Sequence, residues 1–407
     1  MWQQSGNNGE RIPVGTAAIP GSSLPRILPK ISDATLRDSA HMPGIEFTPA
    51  DAAVIAGLLR DVGVDAIEAG ISSQTDQSDA DLARAVIDEA GAGRAMTLVL
   101  ARNRQQVRRD LEFAAALGFR AVMLSIPTSD SHVRLKLGTG SRRRVLALAS
   151  GAIAEAKDRG LHTTFSAEDG ARTDPGFLAE YVASGAAAGA DRFRLAETVS
   201  VLRPADTHRL VTALAGAAGS TEVEMHSHNM LGLAVANALA AAEAGAQWIS
   251  ATVGGLGERG GNTPLGEVLT CMWRFWADRR YDLSLLTRLS REVAARSGVP
   301  LGASAGATAD LAYSYEIAGQ WEHPDMFEAI PAEVVGNSRQ VRVRGRLRAA
   351  LLRACLPPEM IEDLDLDAAV REILREDLPA GKAPMGADDL ESAVMTYAAT
   401  VREGNLH

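Results

Sequence analysis

Along most of the chain, short apolar runs alternate with longer segments whose apolar residues recur at helical spacing. The runs are Ile27–Thr35, Ala66–Gly70, Met96–Ala101, Ala121–Ile126, His162–Ala167, Arg192–Glu197, Glu222–His226 and Trp248–Val253. Runs of this length bounded by polar turns predict strands. The segments between them predict amphipathic helices: Ala52–Val62, Ala80–Glu89, Gln105–Leu117, Arg143–Asp158, Phe177–Ala188, Arg203–Ala215, Leu231–Ala244 and Leu265–Trp276. Strand–helix alternation implies a parallel sheet, and eight such units imply a closed (β/α)8 barrel, with an open doubly wound sheet as the alternative. The polar residues favour the barrel. Nearly every strand ends in a group capable of chemistry: Arg37 and Asp38, Glu68, Ser125, Glu168 and Asp169, Glu197 and Thr198, His226 and His228. Barrel enzymes gather such groups at the C-terminal ends of their strands.

The rhythm divides the chain into three parts. Residues 1–26 are rich in Gly, Pro and Ser without periodicity and predict a flexible arm. Residues 27–294 form the expected barrel domain, and 295–407 predict small, mainly helical C-terminal subdomains ending in the acidic stretches Asp365–Arg375 and Ala387–Arg402. With 46% hydrophobic and 23% charged residues, the chain can bury a large core and stay wetted outside. A net charge of −10 speaks against a nucleic-acid surface, which needs clustered Lys and Arg. Cys271 and Cys355 are the only cysteines, too few for a disulfide framework and consistent with a cytoplasmic setting. No signal-like segment opens the sequence, and no apolar run is long enough to span a membrane.

The strongest local signal is His226-Ser227-His228. Residues two apart on a strand face the same side, so both imidazoles point at one place, as two ligands of one metal would. The first strand closes on Asp33-Ala34-Thr35-Leu36-Arg37-Asp38. In a closed barrel the first, seventh and eighth strands are neighbours, so Asp38 can join the two histidines. A carboxylate with two imidazoles suits Mg, Mn, Zn or Fe(II) and leaves positions open. Arg37 beside that cation calls for something anionic between them, such as a carboxylate-bearing substrate. The loop Gly254–Asn262 lacks the spacing of a nucleotide-binding loop, and it can carry the Asn262 amide oxygen to the metal.

These segments, in this order, resemble the DRE-TIM metallolyase superfamily and, within it, the condensing isopropylmalate, homocitrate and citramalate synthases. The matching motifs are DATLRD at 33–38, HSHN at 226–229 and GERGGN at 257–262. Thr128–His132 with Lys136 and Leu137, Ser166–Asp169 with Arg172, Glu197-Thr198 and PAEVVGNSR at 331–339 agree as well. The resemblance implies a divalent metal (Mg, Mn or Zn) on Asp38, His226, His228 and Asn262, with acetyl-CoA and a 2-keto acid as small-molecule substrates. It assigns Arg37 to the keto oxygen, Thr198 to the α-carboxylate and Glu168 to the acid–base network. A homodimer is implied too, and the C-terminal part is too short for a full leucine-sensing domain.

Departures from the pattern shape the remaining expectations. Asp38 is followed by Ser39-Ala40-His41 where the family has Gly-x-Gln, and His228-Asn229 is followed by Met230 rather than Asp. The family's histidine-bearing AFAHESGIH segment corresponds to residues 304–313, which hold no histidine. Tyr313 or Tyr315 could supply a hydroxyl in its place. His41, Glu68, Ser72, Ser73 and Arg172 suggest a keto acid with a polar or anionic tail, a dicarboxylate or a phosphonate. The competing function is cleavage, as in hydroxymethylglutaryl-CoA lyase. That branch carries a cysteine in the glycine loop, whereas Cys271 lies further on, in a helical segment.

Overall fold

The computed structural model describes residues 25, 27–72, 77–138, 140–300, 302–303, 305–377, 383–402 and 404. The expected arm over 1–26 lies almost wholly outside the described residues, as does Ser73. Two compact units divide the chain, residues 1–281 and 282–407.

In the first unit, eight parallel strands close into a barrel in chain order. They are β1 (Lys30–Asp33), β2 (Ala66–Ile71), β3 (Ala95–Leu100), β4 (Ala121–Pro127), β5 (His162–Glu168), β6 (Arg192–Glu197), β7 (Glu222–Ser227) and β8 (Trp248–Ala251). Closure is made by β8 against β1, with Ser250 beside Ser32 and Ala251 beside Asp33, which excludes the open sheet. The helices start where local chemistry directs them. Thr48 and Asp51 form a capping box ahead of Pro49–Val62, and the Asp174 carboxylate accepts from the Phe177 amide at the head of Pro175–Ala187. The helix Asp130–Leu137, directly after β4 and capped by Ser129, is not among those the periodicity predicts. At eight residues with a single buried side chain, it lacks the apolar stripe that announces a helix.

Strand alternation sorts the side chains into two cores. On β4, Val122, Leu124 and Ile126 are fully buried, and on β6 so are Phe193 and Leu195; they pack outward against the helices. The inward set differs around the barrel. On β3 and β4 it is apolar, with Met96, Leu98 and Met123 clustering with Trp248. From β6 round to β2 it is charged, with Arg192, Arg194, Glu224 and Glu68 joined by ion pairs.

The second unit is mainly helical, with Leu286–Ser297, Ala349–Cys355, Leu366–Glu376 and Ala387–Arg402 as its principal helices. A short parallel ladder pairs Gln340–Val341 with Ser314–Tyr315. Val343, Leu351, Leu352, Ile373, Leu390 and Val394 lie in its core. The helix Leu286–Ser297, which the hydrophobic rhythm groups with the barrel, belongs to this second unit. Among the described residues, no helix is long and apolar enough to cross a membrane.

Candidate active site

Four segments converge at the C-terminal mouth of the barrel. Asp38 ends a single helical turn, Thr35–Asp38, that follows β1. Asp33 shapes that turn by accepting from the Thr35 amide at 2.8 Å and its hydroxyl at 3.0 Å, while burial pushes its own carboxyl up to about 7. On β7 and just beyond it, His226 and His228 turn inward with ring centroids 5.1 Å apart. The ligand atoms of Asp38, His226 and His228 all lie within 4.8 Å of one another. His226 Nδ1 is 2.9 Å from Ser250 Oγ, and His228 Nδ1 donates to the carbonyls of Glu258 and Gly261 at 3.1 and 3.2 Å. These contacts commit the Nδ1 atoms and leave Nε2 of each ring for the centre. Burial lowers both imidazole pKa values, so the rings stay neutral, the form that ligates. Burial alone would raise Asp38, but Arg37 and the two histidines hold its carboxyl well below the usual range.

Asn262 completes the set. Its Nδ2 donates to Asp38 Oδ2 at 2.5 Å and to the Leu256 carbonyl at 3.1 Å, whereas its Oδ1 is buried with no hydrogen-bond partner. An unpartnered buried oxygen costs about 1–3 kcal/mol. A cation beside one carboxylate and two neutral imidazoles satisfies it, so the residues present fit a divalent metal. The loop's glycines are needed for this approach. A Cβ on Gly257 would lie 2.1 Å from Asn262 Nδ2, and one on Gly261 (φ +89°) would lie 2.2 Å from the Gly255 carbonyl oxygen. In this structure Arg259 donates to His228 Nε2 at 3.0 Å and to the Thr198 carbonyl at 2.9 Å, so a cation at His228 requires this guanidinium to release the ring.

A cleft of about 350 Å³ opens over this centre. Arg37, His41, Glu168 and Thr198 line it, together with Arg102, His132, Lys136, Glu258 and Arg259, which the sequence reading did not assign to a role. Glu168 is the focus of one side. Its Oε1 accepts from His132 Nδ1 at 2.8 Å and from Lys136, and its Oε2 from Arg102 at 3.0 Å. Although burial raises its pKa, Lys136, Arg102 and His132 bring it below the ordinary value, so it stays ionised. His41 Nδ1 lies 3.8 Å from Asp38 and 3.7 Å from Glu258. The contact with His41, and then Arg259, lowers Glu258 to about 2.

Ser72, Glu68 and Arg172 are not among the residues that line the cleft. Ser72 follows the inward-facing Ile71 and so points outward, where its hydroxyl donates to the Asp110 carbonyl at 2.9 Å. Glu68 is 1% exposed beneath the cleft, its oxygens held by Arg37 at 2.7 Å and Arg194 at 2.5 Å; it anchors guanidiniums rather than meeting substrate. Arg172 is clamped bidentately on Asp169 at 2.8 Å. Glu197 points to the helix layer and accepts from the Val201 amide at 2.5 Å, with burial raising its carboxyl to about 7. Tyr313 belongs to the second unit, where its hydroxyl donates to the Ile330 carbonyl at 3.0 Å. Burial, then Glu328, raises Tyr313 to about 12, which makes it a poor base near neutrality. Cys271 and Cys355 are free thiols that burial raises to about 11, so neither resembles an activated nucleophile.

Fold and site together define a (β/α)8 barrel with a candidate metal centre at its C-terminal mouth. The chain matches the HMGL-like family over residues 28–293 and belongs to it. It is 37% identical over 330 residues to a protein of Methanosphaerula palustris named as an (R)-citramalate synthase, covering 80% of this chain and 64% of that one. A 2-isopropylmalate synthase of Caldanaerobacter subterraneus is 35% identical over 316 residues, 76% of this chain and 80% of its own. A homocitrate synthase of Saccharolobus islandicus is 35% identical over 318 residues, 77% and 68% respectively. Among solved structures, the Bacillus subtilis HMG-CoA lyase superposes with a TM-score of 0.61 at 18% identity, covering 69% of this chain and 97% of that one, a likeness of fold.

Proposed function

We propose that this protein condenses acetyl-CoA with a 2-keto acid at a divalent metal, giving a 2-substituted malate-type product. The observation that carries this reading is Arg37 held beside the Asp38, His226 and His228 cluster on the floor of one cleft. Its relatives named as citramalate, isopropylmalate and homocitrate synthases support it. A divalent cation bound by Asp38, His226, His228 and Asn262 supplies Lewis acidity to the keto carbonyl. Arg37 donates to the keto oxygen as negative charge grows on it. Thr198, on the same wall, helps to seat the α-carboxylate. Glu168, kept ionised by Lys136, Arg102 and His132, belongs to the network that handles the proton leaving the acetyl methyl group. The resulting enolate attacks the keto carbon, and hydrolysis of the thioester then releases CoA.

The tail of the keto acid is read as small and apolar. Ile71, Leu98, Leu100 and Met123 line the cleft on the β2–β4 side, while Ser72 and Arg172 are committed to Asp110 and Asp169. Of the described residues that suggested a polar tail, His41 alone lines the cleft. Cleavage of a hydroxy-acyl-CoA is the second reading, supported by the fold of the lyases and opposed by the unactivated Cys271.

The test is thiol release from acetyl-CoA with Mg, Mn or Zn and a panel of pyruvate, 2-ketoisovalerate, 2-ketoglutarate and phosphonopyruvate. Release with an apolar-tailed acid is expected. Release only with the dicarboxylate or phosphonate would overturn the apolar tail and keep the condensation. No release with any acid and any metal would overturn the synthase reading, and cleavage of hydroxymethylglutaryl-CoA would replace it. Light scattering tests the homodimer that the family resemblance implies.

A further inference from the structure

From the base of the cleft, where Arg37, Asp38 and Arg194 are among the lining residues, guanidiniums and carboxylates alternate down through the barrel interior. Arg192 stacks on Trp248, 3.4 Å from the ring centroid, and reaches Glu224 at 3.3 Å. Glu224 Oε1 accepts from Arg194 Nη2 at 2.7 Å, and the same nitrogen reaches Glu68 Oε1 at 2.5 Å. Glu68 Oε2 accepts from Arg37 Nε at 2.7 Å, and Arg37 Nη1 reaches Asp38 Oδ1 at 2.8 Å. Three guanidiniums and three carboxylates are thus strung from the barrel floor to the metal site, and all six residues are buried. Strand register sets the lower part, because it lays Arg194 of β6 beside Glu224 of β7.

The division of Glu68 between two cations has a consequence for Arg37. A carboxylate facing a single guanidinium tends to take it bidentately, through two parallel hydrogen bonds. Here Arg194 holds Oε1, so only Oε2 is left for Arg37. Arg37 therefore gives Nε to Glu68 and Nη1 to Asp38, and its Nη2 has no hydrogen-bond partner among the described residues. Arg37 lines the cleft, and this is the donor it has left for a ligand.

We propose that Arg194 is a positioning residue for the reaction: by occupying Glu68 Oε1 it keeps Arg37 turned so that Nη2 serves the keto acid. This rests on the reading that a 2-keto acid binds above Asp38, His226 and His228, whereas the orientation of Arg37 is a property of the protein without substrate. Removing the Arg194 cation lets Glu68 pair with Arg37 through both oxygens, which draws the fork toward the barrel floor and away from Asp38.

The test uses the full chain with Arg194→Met, which keeps the length and removes the charge, and Arg194→Lys, which keeps the charge at a single point. Crystal structures of wild type and Arg194→Met read the geometry. Arg37 is expected to gain a second hydrogen bond to Glu68 and to leave Asp38. Kinetics read the consequence. In Arg194→Met, kcat for CoA release is expected to fall on the order of 10²-fold, as misplacement of a reacting group by about 1 Å can do. KM for the keto acid and the bound metal per chain are expected to stay within about threefold, and Arg194→Lys to recover most of the rate. A lower melting temperature with unchanged kcat per folded molecule would overturn the proposal, because it is what a purely structural role predicts. An unmoved Arg37 in Arg194→Met would overturn it as well. Should Arg194→Met not fold, the neutral but polar Arg194→Gln carries the test: a fall in kcat without a change in KM supports positioning, and a wild-type kcat with a displaced Arg37 removes it. If wild type releases no CoA with any keto acid, the functional reading fails while the crystallographic comparison still decides the orientation.

Discussion

The two sides of the barrel interior are built on different physics. On the β3–β4 side Met96, Leu98 and Met123 pack as an apolar patch, and each contributes roughly in proportion to the area it hides from water. On the side running from β6 to β2, Arg192, Arg194, Glu224, Glu68, Arg37 and Asp38 are neutral only as a set. Loss of one member there leaves its partner charged and buried, which costs far more than the missing contact. Trp248 touches both, packing in the apolar cluster on one side and under Arg192 on the other. The difference assigns the work. On the proposed function, the charged side would hold a metal and an anionic head group, and the apolar side would give room to a tail.

The comparison can be broken most sharply at its charged end. Asp38→Asn removes the one carboxylate among the proposed metal ligands Asp38, His226, His228 and Asn262. CoA release is expected to fall by more than about 10³-fold, together with the metal retained after dialysis, read by elemental analysis. A variant that keeps its metal and a tenth of the rate would remove Asp38 from the centre.

Glu68→Gln should come next. With one charge deleted from the series, kcat is expected to drop about 10²-fold and stability at neutral pH by about 3–5 kcal/mol. Its pH dependence has a definite sign. Burial raises Glu68, but Arg194 and Arg37 outweigh it and bring the carboxyl to about 2, below its ordinary 4.5. The stabilisation it gives is therefore complete above pH 4.5 and is lost as pH falls from 4.5 toward 2. Urea titrations across that window should show a steeper acid loss in wild type than in Glu68→Gln. Equal slopes would mean that Glu68 is not charged in the fold.

Leu98→Ala tests the apolar side. Stability is expected to fall by about 2–5 kcal/mol, toward the lower end because the site borders the cleft. Preference should move about tenfold toward a keto acid longer by one or two methylenes. If preference moves toward a charged tail instead, the apolar side is not the tail site. The smallest effect belongs to Ser72→Ala, which loses one buried hydrogen bond to the Asp110 carbonyl. About 1 kcal/mol of stability should go, with KM for the keto acid unchanged. A KM change there would return Ser72 to the cleft.

Much of the site was legible because its signals are local. His226 and His228 are two apart on a strand, and that spacing alone sends both rings to one side. The eight strands were visible as apolar runs, with ends within three residues of the observed ones. Ser72, expected at the substrate, is turned to the helix layer for an equally local reason, one step of alternation past the inward-facing Ile71. His132 and Lys136 are four apart on one short helix and so share a face, but Arg102 lies after another strand, and only the fold gathers all three on Glu168.

The sequence by itself determined the alternation of elements, hence the barrel, and the residue types at its strand ends, hence a carboxylate, two imidazoles and an amide close together at its mouth. Strand periodicity and glycine at the Asn262 approach are properties of neighbours in the chain, so they can be read without a structure. What the tertiary structure decided is which charges cancel which. Glu68 and Arg194 are far apart in sequence, and only closure of the barrel brings them to 2.5 Å. Electrostatic pairing depends on distance through space and on the water excluded from between the partners, and neither is written in the order of residues.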